Sequence, residues 1–329
     1  MRAAAAGDAT AYLTADAPPP GPGGAPAPLG PLALALAARG DFPVLPPLAT
    51  GLALHAVHVW VGASSTSPAS SGLHHDYHDN VYCVASGEKT FTLFPPAAAR
   101  SMATVGRVAA VHATGRIVYE GQGDVGADGS DAGIRRAAAA LGKGGAADRA
   151  QDGDDDDADL DAALAAAAAG EHVVDDFDDA GGESSDRGSD GGCDGGPSTT
   201  TDPPSFSTLD PATDAAKLPM HRAATVTLRP GDALFLPAGW FHSVVSRSGA
   251  GGADARLHAA VSWWFHPPDV AERGRERAYT GDHWGALWRA AVAACPALEA
   301  AVAHACARAG VGDRASPAPK PAKRARGEE

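Results

Sequence analysis

Long apolar runs are missing. No stretch of about 18 consecutive apolar residues occurs in the 329-residue chain, so a simple membrane-crossing helix is excluded. Aromatic residues are scarce, with 8 Phe, 6 Trp and 5 Tyr, too few for two aromatic-rich cores. Cysteine is scarcer still. Cys83, Cys193, Cys295 and Cys306 form no CxxC pair, which excludes a cysteine-based zinc module and a disulfide scaffold. A reducing compartment, cytoplasm or nucleus, is therefore expected. The N-terminus lacks a secretory signal: Asp8 interrupts a short alanine run before any apolar core can form. What the chain has in excess is small residues, including 40 Gly, and 26 Pro.

The net charge of −14 belongs to one segment. Residues 120–202 hold 22 Asp/Glu against 5 Lys/Arg, while the remainder is +3. The folded part is thus close to neutral and gives no charge argument for a nucleic-acid partner. The same segment has 17 Gly and one aromatic, Phe177. Such a composition buries too little apolar surface to offset the entropy of ordering. Four regions are expected: 1–119 and 203–310 as two parts of one domain, 120–202 as a mostly disordered acidic insert, and 311–329 as a disordered basic tail. A short helix is expected near Asp159–Ala169, and another at Pro31–Ala38.

Outside the insert, strand signals are closely spaced. His58–Gly62, Asn80–Ser86, Lys89–Phe94, Ala224–Leu228, Ala233–Leu236, Phe241–Ser246 and Leu257–Phe265 read as strands. Gly87-Glu88 predicts a hairpin joining the second and third. Arg229-Pro230-Gly231-Asp232 predicts a further turn. After Pro267-Pro268 the period becomes helical, near His283–Cys295 and Ala297–Ala309. The pattern predicts an antiparallel barrel or sandwich with flanking helices.

Chemistry concentrates in Leu73-His74-His75-Asp76-Tyr77-His78-Asp79-Asn80. Alternate residues of an extended chain share a face, so His74 and Asp76 point together. With a distant histidine they would form a 2-His-1-carboxylate triad, which binds Fe(II) and leaves positions open for a co-substrate and O2. His242, in Leu236-Pro237-Ala238-Gly239-Trp240-Phe241-His242, follows a turn on a later strand and supplies that histidine. Alone, an HxD pair is common by chance and a single histidine is more often a core residue. The ordered series of HxD, Lys89 and LPAGWFH is far more specific. Lys89 offers a cation to the far carboxylate of a dicarboxylic co-substrate. His75 alternates to the opposite face. His78 is assigned to the surroundings of the site or the surface.

The stretches LHHDYHDNVYCVASGEKTFTLFPP (Leu73–Pro96), RPGDALFLPAGWFHSV (Arg229–Val244) and AVSWWF (Ala260–Phe265) resemble the Jumonji-C group of Fe(II)/2-oxoglutarate oxygenases. The likeness is greatest to its (3S)-lysyl hydroxylase subfamily, also described as histone-tail peptidases. It covers roughly 41–119 and 203–290. The resemblance implies a double-stranded β-helix of jelly-roll, cupin-like form, mainly β. It implies Fe(II) on His74, Asp76 and His242, and 2-oxoglutarate on Lys89. Ser71 stands where the family commonly has Thr, and Tyr12 matches an upstream tyrosine that bonds the same carboxylate. Ser262 stands where the family has Asn in the last strand.

The resemblance further implies hydroxylation of a protein lysine at carbon 3, with developmentally regulated GTP-binding proteins as substrates. Demethylation follows from the same chemistry, but no zinc or reader module accompanies the domain. A peptidase would need a metal-activated water, and neither an HExxH helix nor an extra general base is evident. A catalytically silent barrel that binds basic partners through its acidic insert is the reading from another class. Relatives often dimerise through a longer N-terminal helical region. Only eleven residues precede Tyr12 here, which leaves a homodimer open but short of that element.

Overall fold

Residues that favour a pleated surface cluster where both faces of a sheet are covered. β2 (Ala53–Ala63) reads ALHAVHVWVGA and is buried along most of its length. β5 (Asp79–Ser86) and β12 (Leu257–His266) are covered in the same way. These three lie at the centre of a five-stranded antiparallel sheet. Its edges are β1 (Tyr12–Ala15), beside β2, and β10 (Ala233–Leu236), beside β5. A second antiparallel sheet has the order β3 (Ala69–Ser70), β11 (Phe241–Arg247), β6 (Glu88–Phe94) and β9 (Ala224–Leu228). β4 (His74–His75) also pairs with β11. The computed structural model describes residues 12–15, 43–46, 49, 51–63, 68–143, 202–249, 257–270, 278–294, 296, 298–300 and 302–303.

The sheets face each other. Tyr82, Val84, Leu236 and Ala260 of the first pack against Phe91, Leu93 and Leu228 of the second. The opposite face of the first sheet carries Val57, Val81, Trp263 and Phe265, covered by Trp288 of α2 (His283–Ala294) and by Leu298. One residue of strand separates Ser262, facing inward, from Trp263, facing outward. This is the cupin-like jelly roll expected.

The strand positions agree with expectation, but one connection does not. The expected Gly87-Glu88 hairpin is absent: β5 pairs with β10 and β12, and β6 pairs with β11 and β9. The chain turns at Gly87 from one sheet into the other. Gly87 has φ +75°, and a Cβ there would lie 2.5 Å from the Arg247 carbonyl and 2.7 Å from His258 Cβ. The corner needs glycine because two sheets converge on it. β9 and β10 are likewise split between sheets, as are β10 and β11, and β11 and β12. This alternation defines a double-stranded β-helix.

The expected insert boundary at residue 120 also needs correction. After the small hairpin of β7 (Val108–Val111) and β8 (Ile117–Tyr119), the chain continues into α1 (Ala132–Lys143). Asp131 caps that helix by accepting the Ile134 N–H at 2.8 Å. Ile134 packs with Ala53, Tyr279 and Trp284. Asp128 lies 2.6 Å from His283 Nε2 and accepts from the Ser130 hydroxyl at 2.7 Å. The first 24 residues of the predicted insert therefore belong to the fold. Its acid run, the helices expected at Asp159–Ala169 and Pro31–Ala38, and the basic tail lie outside the described residues.

Candidate metal centre

β4 ends in His74-His75 and β11 begins at Phe241-His242. Their register sets His74 opposite His242, with ring centroids 4.3 Å apart. Asp76 follows β4 directly. Its Oδ1 lies 3.9 Å from His74 Nε2 and its Oδ2 lies 3.5 Å from His242 Nε2. Each imidazole is oriented by a carbonyl: His74 Nδ1 is 3.2 Å from Gly72 O, and His242 Nδ1 is 3.0 Å from Trp240 O. Nδ1 thus carries the proton, and Nε2 presents its lone pair toward Asp76.

The PAGW turn completes this arrangement. The Gly239 N–H donates to the Asp76 carbonyl at 2.9 Å. Gly239 has φ +76°, and a Cβ would sit 1.9 Å from the Gly115 carbonyl oxygen. No side chain fits there, so the glycine of LPAGWFH is what allows His242 to approach Asp76.

The centre is buried, and burial acts against charge on every member. The Asp76 carboxyl is pushed up to about 7 by desolvation, His58 opposing. His242 falls to about 4 through burial, and His74 falls well below its usual range through burial and the nearby His242. A divalent cation among these atoms would reverse the cost by favouring the carboxylate. Two neutral imidazoles and one carboxylate are the donor set that suits Fe(II), so the residues fit the expected group.

Lys89 is fully buried, at 0% exposure, on the inner face of β6. Its ammonium donates to Ser246 Oγ at 2.7 Å and lies 3.1 Å from His258 Nδ1. Burial lowers it to about 7. His258 falls to about 4, from burial and from the adjacent Lys89. Ser246 comes from the second sheet and His258 from the first, so Lys89 spans the interior between them. No sequence motif points to either partner.

The remaining expected residues occupy defined places. Ser262 is fully buried, and its Oγ accepts the Trp60 indole N–H at 2.8 Å. Ser71 Oγ accepts the Val244 N–H at 3.0 Å and donates to Gly72 O at 2.9 Å, tying the β3–β4 segment to β11. Tyr12 pairs with Gly62, which pairs in turn with His258. That register sets Tyr12 in line with the Lys89 neighbourhood; its side chain lies outside the described residues. His75 faces away, as expected, with Nε2 2.8 Å from the Tyr119 hydroxyl. His78 is not a surface residue: it is buried beside His55 and Trp264. Phe206, near the start of the chain's downstream part, stacks on His74 at 4.8 Å. Its only sequence signal is a lone aromatic after a polar tract.

Two facing antiparallel sheets with a His/Asp/His centre where β4 pairs with β11 define a cupin-type domain with a candidate metal site. Residues 30–270 match the cupin-like domain family, well over half of the chain, and the chain belongs to that family. It is also similar to JmjC domain-containing protein 4 of Schizosaccharomyces pombe, 31% identical over 305 residues. That alignment covers 70% of this chain and 59% of the relative, so the chain spans less than two thirds of the relative's length. Both findings support a JmjC domain protein. The relative's name specifies the domain and not a lysyl hydroxylase.

Proposed function

We propose that this chain is an Fe(II)- and 2-oxoglutarate-dependent oxygenase that hydroxylates a protein side chain. The observation that carries the reading is the pairing of two buried features: the His74/Asp76/His242 centre and the interior cation of Lys89. A His/Asp/His cluster alone would fit many metal-binding proteins, and a buried lysine alone could be structural. A metal-chelating dicarboxylate needs both. Fe(II), when bound, would supply the oxidative chemistry with O2 and 2-oxoglutarate.

The protein's part is to hold and orient. His74 and His242 present Nε2, with their rings fixed by the Gly72 and Trp240 carbonyls. Asp76 would be the anionic ligand, its carboxyl releasing its proton to solvent were a metal bound. Lys89 takes the far carboxylate, and the co-substrate's charge keeps the ammonium protonated. Ser246 and His258 steer the ammonium. Ser71 and Tyr12 are proposed to assist at the same carboxylate, and Ser262 to line the pocket through its bond with Trp60. Phe206 stacks on one face of the His74 ring and helps to hold its orientation.

The substrate assignment rests on resemblance: a lysine side chain, hydroxylated at carbon 3, in a developmentally regulated GTP-binding protein. Anaerobic titration with Fe(II) and 2-oxoglutarate, followed by a succinate-release assay on candidate GTPases, tests both levels. Succinate formation with a gain of one oxygen on a substrate lysine supports the full reading. Binding of both ligands with oxygen gained on another residue removes only the lysine assignment. Failure to bind 2-oxoglutarate in the presence of Fe(II) removes the oxygenase.

A further inference from the structure

A second group of histidines stands apart from the His74/Asp76/His242 centre. His55 of β2, His78 before β5 and His266 at the end of β12 bring their ring nitrogens together, with one ligand atom from each within 4.8 Å of the others. His55 and His78 stack at 4.0 Å, and His266 meets both edge-on, at 5.0 and 5.3 Å. We infer that His55, His78 and His266 form a second metal site, for a borderline divalent cation of the Zn2+ type, with water in the fourth position.

Three features of the fold build this site. First, β2, β12 and β5 are neighbours in one sheet, and the three histidines sit at the same end of it. Second, the ladder between β2 and β12 slips here. Trp264 pairs with Ala56 and Phe265 with Leu54, so His55 is the extra residue of a β-bulge. Bulges re-aim side chains, and this one turns His55 onto His78. Third, the far side is fixed. Trp284 of α2 stacks on His266 at 3.4 Å, and the Tyr279 hydroxyl donates to the His266 carbonyl while accepting the Ala53 N–H at 3.0 Å.

The donor chemistry selects the ion. The three nitrogens come from imidazoles and no carboxylate joins them among the described residues, which suits Zn2+ over Mg2+ or Ca2+. His78 and His266 are buried, whereas His55 is only partly buried. Tetrahedral bonds of about 2.0–2.1 Å place ligand nitrogens about 3.3 Å apart with each ring's lone pair aimed at the ion, so binding requires the His55 ring to turn out of its parallel stack on His78. Occupation would pin three strand ends together. It would also fix the loop in which Asp76 lies two residues before His78.

The test is metal stoichiometry on the full chain. After removal of metal by chelation, the protein is dialysed against Zn2+ alone and bound metal is measured. The wild-type chain should hold two equivalents. The His74→Ala/His242→Ala variant should keep one, and the His55→Ala/His266→Ala variant should also keep one. Should either variant fail to fold by circular dichroism, Co2+ loading of the wild type decides. Two equivalents, one giving the intense visible absorption of four-coordinate Co2+, support the site. A single weakly absorbing equivalent overturns it, as does complete loss of Zn2+ from a folded His74→Ala/His242→Ala variant. These readouts do not depend on oxygenase activity.

Discussion

Burial sets the chemistry of single residues in this protein. In the metal-free protein burial pushes the Asp76 carboxyl up to about 7 and His242 down to about 4. A metal binding at this centre would therefore displace one proton below pH 7 and almost none above it. Apparent affinity for a divalent cation should fall about tenfold per pH unit as pH drops from 7 towards 5. Calorimetry in two buffers of different ionisation enthalpy counts that proton; a pH-independent affinity would mean Asp76 is not a ligand. Lys89 has the opposite sign. Burial lowers its ammonium to about 7, and on the proposed reading 2-oxoglutarate would bind the charged form. Above pH 7, 2-oxoglutarate must bring a proton with it, so its affinity should fall by up to about tenfold per unit. Lys89→Ala should raise the KM for 2-oxoglutarate ten- to a hundredfold, about 1.5–3 kcal/mol, with metal affinity unchanged. Ser262→Asn should keep an acceptor for Trp60 and lower that KM, whereas Ser262→Ala removes the 2.8 Å acceptor and costs about 0.5–1.5 kcal/mol of stability.

Elements show where local reading succeeds. His74, Asp76 and His242 are legible because alternation and a distinctive LPAGWFH string are local properties. The Gly87 corner is not, because a tight glycine turn looks the same whether it returns into its own sheet or crosses to the other. The difference lies in β12 and β11, which are about 160 residues away and enter only through long-range pairing. The insert boundary is hidden for a related reason. Glycine count and charge averaged over 120–202 mask Ile134, whose burial depends on Trp284 and Tyr279. Replacing residues 144–201 with a flexible Gly/Ser linker should leave a cooperative thermal transition and intact metal binding. Removing 120–202 should not, because it strips the cover from Trp284 and takes Asp128 from His283. Equal melting temperatures for the two deletions would show that α1 is dispensable. Gly239→Ala is a sharper probe. It meets the Gly115 carbonyl and an unfavourable φ worth at least about 1–2 kcal/mol, and it should weaken the centre by displacing His242 from Asp76.

At the scale of the whole molecule, ligands and fold are linked by mass action. A metal and a co-substrate that bind only the native state should each stabilise it by about 2.7 kcal/mol at a hundredfold excess over its Kd, and the melting temperature should rise accordingly. The strand alternation has a consequence for chain integrity. Each sheet is interleaved from both sides of the gap between residues 143 and 202: β2 and β5 lie against β12 and β10, and β6 lies against β11 and β9. The centre is divided in the same way, with His74, Asp76 and Lys89 upstream and His242, Ser246 and His258 downstream. A cut inside that gap severs the polypeptide without severing the protein. The two pieces should migrate as one under native conditions and retain metal, yet neither should fold when expressed without the other. The strand ladders, together with Ile134 against Trp284 and Asp128 beside His283, join the upstream and downstream halves without that covalent link.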